Sequence, residues 1–174
     1  MLSVNSETNE GLYKDKRRFF WLSQPFLPML PSLSCWLGYT YNLPLMYWLT
    51  ALFWFVLIAI LDESLPADDN NPPEHLLSDI ETDNYYYRVL FASTPSYLIN
   101  ISGVCWFVGN HELTFVDYLG IGVSLGIVSG LGLAVGHELG HKTSYFFRRA
   151  GKFLLGISGV PHFIVGHLNG HHRL

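Results

Sequence analysis

Five of the six histidines in the last 38 residues fall at spacings that suit metal ligation: His137 and His141 in H-E-L-G-H-K (137–142), and His167, His171 and His172 in H-L-N-G-H-H (167–172). Residues four apart share one face of a helix, so His137 and His141 can point at one site, as can His167 and His171, with His172 beside them. The stretch just before them reads as a membrane span, and ionisable groups clustered at a membrane boundary are costly enough to mark a functional site.

H-E-L-G-H also satisfies H-E-x-x-H, in which two histidines bind zinc and Glu138 acts as general base, as in metalloproteases. Three further imidazoles speak against that reading, because a catalytic zinc takes three protein ligands. The surplus points to more than one metal. Imidazole suits iron as well as zinc, and open positions on non-haem iron are what oxygen activation requires. His75 and His111 read as polar loop residues. His162, between Pro161 and Phe163, lies outside the four-residue pattern and is expected to support a ligand rather than to be one. Cys35 and Cys105 both fall in apolar stretches and read as small buried hydrophobes.

These groups must be held by helices. Charged residues make up only 14% of the 174 residues, against about 25% in a soluble domain, and residues 19–61, 89–110 and 118–136 contain none. A bilayer core of about 30 Å takes about 20 residues of apolar helix. The expected fold is therefore all-α: an integral membrane bundle with spans near 19–39, 43–61, 89–108 and 118–136. Residues 1–18 form a mobile tail, and residues 19–174 form the membrane domain. Pro25, Pro28 and Pro31 predict a kinked or broken first span. Gly122, Gly126 and Gly130, and the pair Gly132 and Gly136, are small-residue rows that let membrane helices approach closely and would fix the helix carrying His137. Residues 153–165 are apolar but too short and too rich in Gly and Pro for a span, and read as a re-entrant or interfacial piece.

Lys14, Lys16, Arg17 and Arg18 precede the first span, and Lys142, Arg148, Arg149 and Lys152 follow the fourth. The positive-inside rule places both clusters, and with them both histidine boxes, at the cytoplasmic face. A net charge of −4, with the few basic residues clustered rather than spread, argues against nucleic-acid binding.

The chain resembles the N-terminal part of the membrane alkane 1-monooxygenases, within the wider group of membrane fatty-acid desaturases and hydroxylases. D-E-S-L-P-A-D-D-N-N-P-P-E (62–74), D-N-Y-Y-Y-R-V-L (83–90), S-L-G-I-V-S-G-L-G-L (124–133) and the two histidine boxes carry the resemblance, which runs from about residue 14 onward. It implies a six-helix fold in a bacterial cytoplasmic (inner) membrane, with two non-haem irons at the cytoplasmic side. It implies terminal hydroxylation of an alkane with O2 to a 1-alkanol, with electrons from rubredoxin. His137 and His141 match the first ligand pair, and His167, His171 and His172 the second group. Gly166 stands where the family usually has Glu before the second box, which would remove a carboxylate that orients an imidazole. The family's remaining histidines and last helices lie beyond Leu174. The chain is therefore expected to be a fragment that does not turn over alone. Trp54, near the end of the second span, is a candidate wall of a hydrocarbon pocket. A desaturase or fatty-acid hydroxylase, an intramembrane zinc protease and a non-enzymatic metal-binding membrane protein are the alternatives.

Overall fold

A computed structural model describes Asp15, residues 18–66, Glu74 and residues 83–166. The described residues are helical, with no strand among them. Two 3-10 turns, Arg18–Ser23 and Leu27–Met29, lead into α1 (Leu30–Thr40), which starts with Pro31 in its first turn. The segment expected as a first span is thus broken at its prolines as the sequence predicts, since proline is tolerated where a helix begins but not inside it. Asn100, fully buried on α3 (Asn84–Asn110), closes the break. Its Oδ1 accepts from the Ser32 backbone N–H at 3.0 Å and from Ser32 Oγ at 2.7 Å. A side chain 68 residues away therefore satisfies a donor that α1's own first turn leaves unpaired.

α2 (Pro44–Ser64) changes pitch along its length: a 3-10 turn, an α turn, a π segment at Phe53–Leu57 and α-helix to Ser64. α3 begins at Asp83, whose carboxylate caps the Tyr85 N–H at 2.8 Å. α4 (Phe115–Gly140) opens with a reciprocal capping box between Thr114 and Asp117. α5 is Tyr145–Ile157, and α6 is the single turn Phe163–Gly166. α2 and α4 are long and apolar enough to cross a membrane. Every side chain of α2 beyond Trp54 is exposed, including Phe55, Val56, Leu57 and Ile60. Such a face has no place in water and suits a lipid or protein neighbour.

Two cores hold the bundle. One gathers Cys35, Tyr47, Val104, Phe107 and Ile121, from α1 to α4. The other gathers Tyr97, Val128, Val135, Leu139, Ala150 and Leu154, joining α3, α4 and α5 directly beneath the histidine end of α4. α4 and α5 meet backbone to backbone. A Cβ on Gly151 would lie 2.6 Å from the Gly136 carbonyl oxygen and 2.7 Å from the Gly140 nitrogen. The glycines that pack α4 against α5 are therefore Gly136, Gly140 and Gly151, with Gly132 against Tyr97 and Ser158; Gly120 packs against Trp48 and Gly38 against Tyr47. Gly122, Gly126 and Gly130 meet nothing within 4 Å, so that row plays no packing part among the described residues.

Several expectations change. Asp15 and Arg18 are not loose tail: Tyr86 donates to Asp15 at 2.6 Å, and Arg18 pairs with Asp83 at 3.2 Å over the Tyr85 ring. Burial, followed by the bond to Asp15, pushes the Tyr86 hydroxyl up to about 12. The rest of the 1–18 segment lies outside the described residues, as does His75. His111 sits in the loop after α3, as expected, but is tied back to the helix end: its ring stacks on Phe107 (centroids 4.3 Å) and its Nδ1 is 2.9 Å from the Phe107 carbonyl. Cys35 is buried, but Cys105 is exposed. Residues 153–165 are not one apolar piece, because α5 begins earlier and ends within them.

Candidate metal centre

α4 carries His137 in its last turn, and His141 is its C-cap. Their Nε2 atoms lie 3.0 Å apart, with the rings edge to face at 4.5 Å between centroids. Two nitrogens each about 2.1 Å from a metal and at right angles to one another are about 3.0 Å apart. The pair thus has the separation of adjacent ligands on one ion, although a shared proton also satisfies it. A cation at this place faces the carbonyl end of α4, where the helix dipole favours positive charge.

The second feature is the neighbour of His137. Glu138 Oε1 lies 3.5 Å from His137 Nδ1. A carboxylate on that side favours the tautomer with Nδ1 protonated and leaves the Nε2 lone pair for a metal. Replacing Glu138 by Gln is expected to weaken metal binding about 10–100-fold while leaving the fold intact, because the side chain is largely exposed. A metal titration of the purified variant reads this directly; wild-type affinity would show that Glu138 does not orient the ring.

The third feature is how the chain comes back. α5 ends in a Schellman turn: the Val160 N–H donates to the Leu155 carbonyl at 2.9 Å and the Gly159 N–H to the Gly156 carbonyl at 3.1 Å, with Gly159 at φ +86°. Pro161 follows, and the chain reverses into α6, bringing the Phe163 ring to 6.0 Å from the His137 ring. The segment entering the second histidine box therefore starts beside the first pair. His167, His171 and His172 themselves lie outside the described residues, and among the described residues no group of three metal-ligating side chains forms. His162 is exposed in the turn. Gly166 ends α6. Trp54 is half-buried in the π segment, edge to face with Phe53 at 5.5 Å, and its indole N–H is buried without a hydrogen-bond partner. Gly151, Gly159 and Phe163 were not singled out by sequence reasoning, although Gly followed two residues later by Pro is a helix-stop signal.

The chain is 34% identical over 161 residues to alkane 1-monooxygenases of Pseudomonas putida and of Ectopseudomonas oleovorans, covering 92% of this chain and 40% of each relative. It is 34% identical over 165 residues to alkane 1-monooxygenase 1 of Alcanivorax borkumensis. The chain is similar to alkane 1-monooxygenases over most of its own length. The chain spans about two fifths of the length of these curated relatives. No protein-family model matches it.

Proposed function

We propose that this chain is part of a membrane alkane 1-monooxygenase that uses O2 to convert alkanes to 1-alkanols at a centre of two non-haem irons, taking electrons from rubredoxin. His137, His141, His167, His171 and His172 are the ligands it contributes. The observation that carries this reading is the 3.0 Å approach of the two Nε2 atoms on a chain homologous to alkane monooxygenases.

An alkane methyl group has no acidic proton and no leaving group, so side-chain acid–base chemistry cannot attack it; bound iron supplies the oxidising power. The chain's own residues do the remaining work. Glu138 orients the His137 ring through Nδ1. The glycine contact between α4 and α5 fixes the height of both rings. The apolar surfaces of α2 and α4 keep the site within reach of a substrate dissolved in the bilayer. In this reading the chain lies in the bacterial inner membrane with four crossings, and its histidines are at the cytoplasmic side. Glu138 faces its own helix neighbour's ring, which favours an orienting role over the water-activating role that a zinc protease needs.

A chimera tests the reading: this chain replaces the matching segment of the Pseudomonas putida relative, and product is read against a panel of n-alkanes. 1-Alkanol that depends on O2 and an electron donor is expected. Folded, iron-loaded chimera without product would reject it. In the same chimera, Trp54→Ser is expected to shift the preference toward longer alkanes, because it trades an indole for a small side chain at the wall of the hydrocarbon pocket. An unchanged chain-length profile would remove Trp54 from that wall.

A further inference from the structure

We propose that the first turns of α5 form an anionic-phospholipid binding site at the membrane surface; this rests on the membrane reading above. Tyr145, Arg148, Arg149 and Lys152 recur at three- and four-residue steps and line an open cavity of about 510 Å³. All four are exposed. The Arg149 guanidinium lies over the Tyr145 ring, 4.6 Å from its centroid. Among the described residues no carboxylate pairs with Arg148, Arg149 or Lys152, so three cations are left to share one anionic partner.

What identifies that partner is the surface next to the cations. Phe146 is 72% exposed and Phe153 42% exposed. They are seven residues apart, hence on nearly the same line of the helix, about a quarter-turn from the basic stripe. The opposite side, Ala150, Gly151, Leu154 and Leu155, is buried against α4. A helix with one face anchored to protein, one row of cations and one row of exposed aromatics matches a headgroup boundary: rings enter the acyl edge and cations meet phosphates. Four residues separate the end of α4, a helix able to cross the membrane, from the start of α5, which runs back along α4 with Gly151 against Gly136 and Gly140 and Ser158 beside Gly132, so its basic first turns lie level with the end of α4, at the membrane edge. An acidic protein would satisfy the cations but not the phenylalanine pair.

The test uses the purified 174-residue chain reconstituted into vesicles of equimolar phosphatidylglycerol and phosphatidylcholine. After an alkaline wash, the chain is extracted in mild detergent and the lipids that remain bound are quantified by class. Phosphatidylglycerol is expected to be enriched over its share in the vesicles. The bound phosphatidylglycerol-to-phosphatidylcholine ratio should fall toward the vesicle ratio, by up to about five-fold for each cation removed in an Arg148→Gln, Arg149→Gln, Lys152→Gln series, and should survive Arg148→Lys with Arg149→Lys. A chain that stays in the membrane but keeps the two lipids at the vesicle ratio overturns the lipid inference alone. So does a chain with no lipid preference that binds soluble polyglutamate through the same three residues, which would assign the stripe to an acidic protein. A chain released by the wash overturns the membrane reading together with this one.

Discussion

Gly151→Ala is expected to destabilise the chain and to spoil metal binding at a site the residue does not touch. The new Cβ would sit 2.6 Å from the Gly136 oxygen, 2.7 Å from the Gly140 nitrogen and 3.1 Å from the Gly140 Cα. All three are backbone atoms, so no side chain can swing away; the helices must separate. Overpacking of this kind costs about 1–3 kcal/mol, whereas the gain in helix propensity from Gly to Ala is about 1 kcal/mol. The clash wins, and separation moves the last turn of α4, which carries His137 and leads into His141. A melting temperature lowered by several degrees, together with weaker metal affinity, is the expected pair of results. Gly126→Ala is the control: nothing lies within 4 Å of its Cβ, so in this chain it should be neutral or slightly stabilising. Equal behaviour of the two variants would remove the glycine contact from the account of how the site is held.

Loss of either imidazole is expected to have the larger functional effect. In the chimera, His137→Ala or His141→Ala should lower 1-alkanol formation by at least about 100-fold, since losing a group that merely orients a ligand already costs 10–100-fold in metal affinity or activity. Iron content should fall with activity. His111→Ala separates a ligand effect from a general loss of structure. That ring stacks on Phe107 and meets Tyr39 edge to face, at the far end of α3 from the residues that pack beneath the pair, so its loss should cost stability but not iron. Activity retained by His141→Ala would mean that the 3.0 Å approach is only a hydrogen bond between rings.

Local signals in the chain account for much of the fold. Prolines at 25, 28 and 31 break the first span where they stand, and the two most apolar stretches become α2 and α4. The four-residue spacing of His137 and His141 places both rings together because it is a helix property. Some signals were present but overlooked: the capping pattern Thr114 to Asp117 moves the start of α4 forward, and Gly159 with Pro161 divides residues 153–165 into a helix end and a reversal. Other features have no local trace. Asn100 finds Ser32 across 68 residues, and Gly136 differs from Gly126 only in having α5 against it. The depth of His111 depends on Tyr39 arriving from α1. These are tertiary facts, and no window of sequence contains both partners.

The most direct measurement is iron X-ray absorption on the anaerobically Fe(II)-loaded chain, wild type against the His137→Ala, His141→Ala double variant. The wild type is expected to show imidazole nitrogen scattering at about 2.1 Å, as metal–histidine bonds require, and the double variant to lose that iron or that shell. An identical spectrum at identical iron content from the double variant would contradict the assignment of this helix end as a metal site.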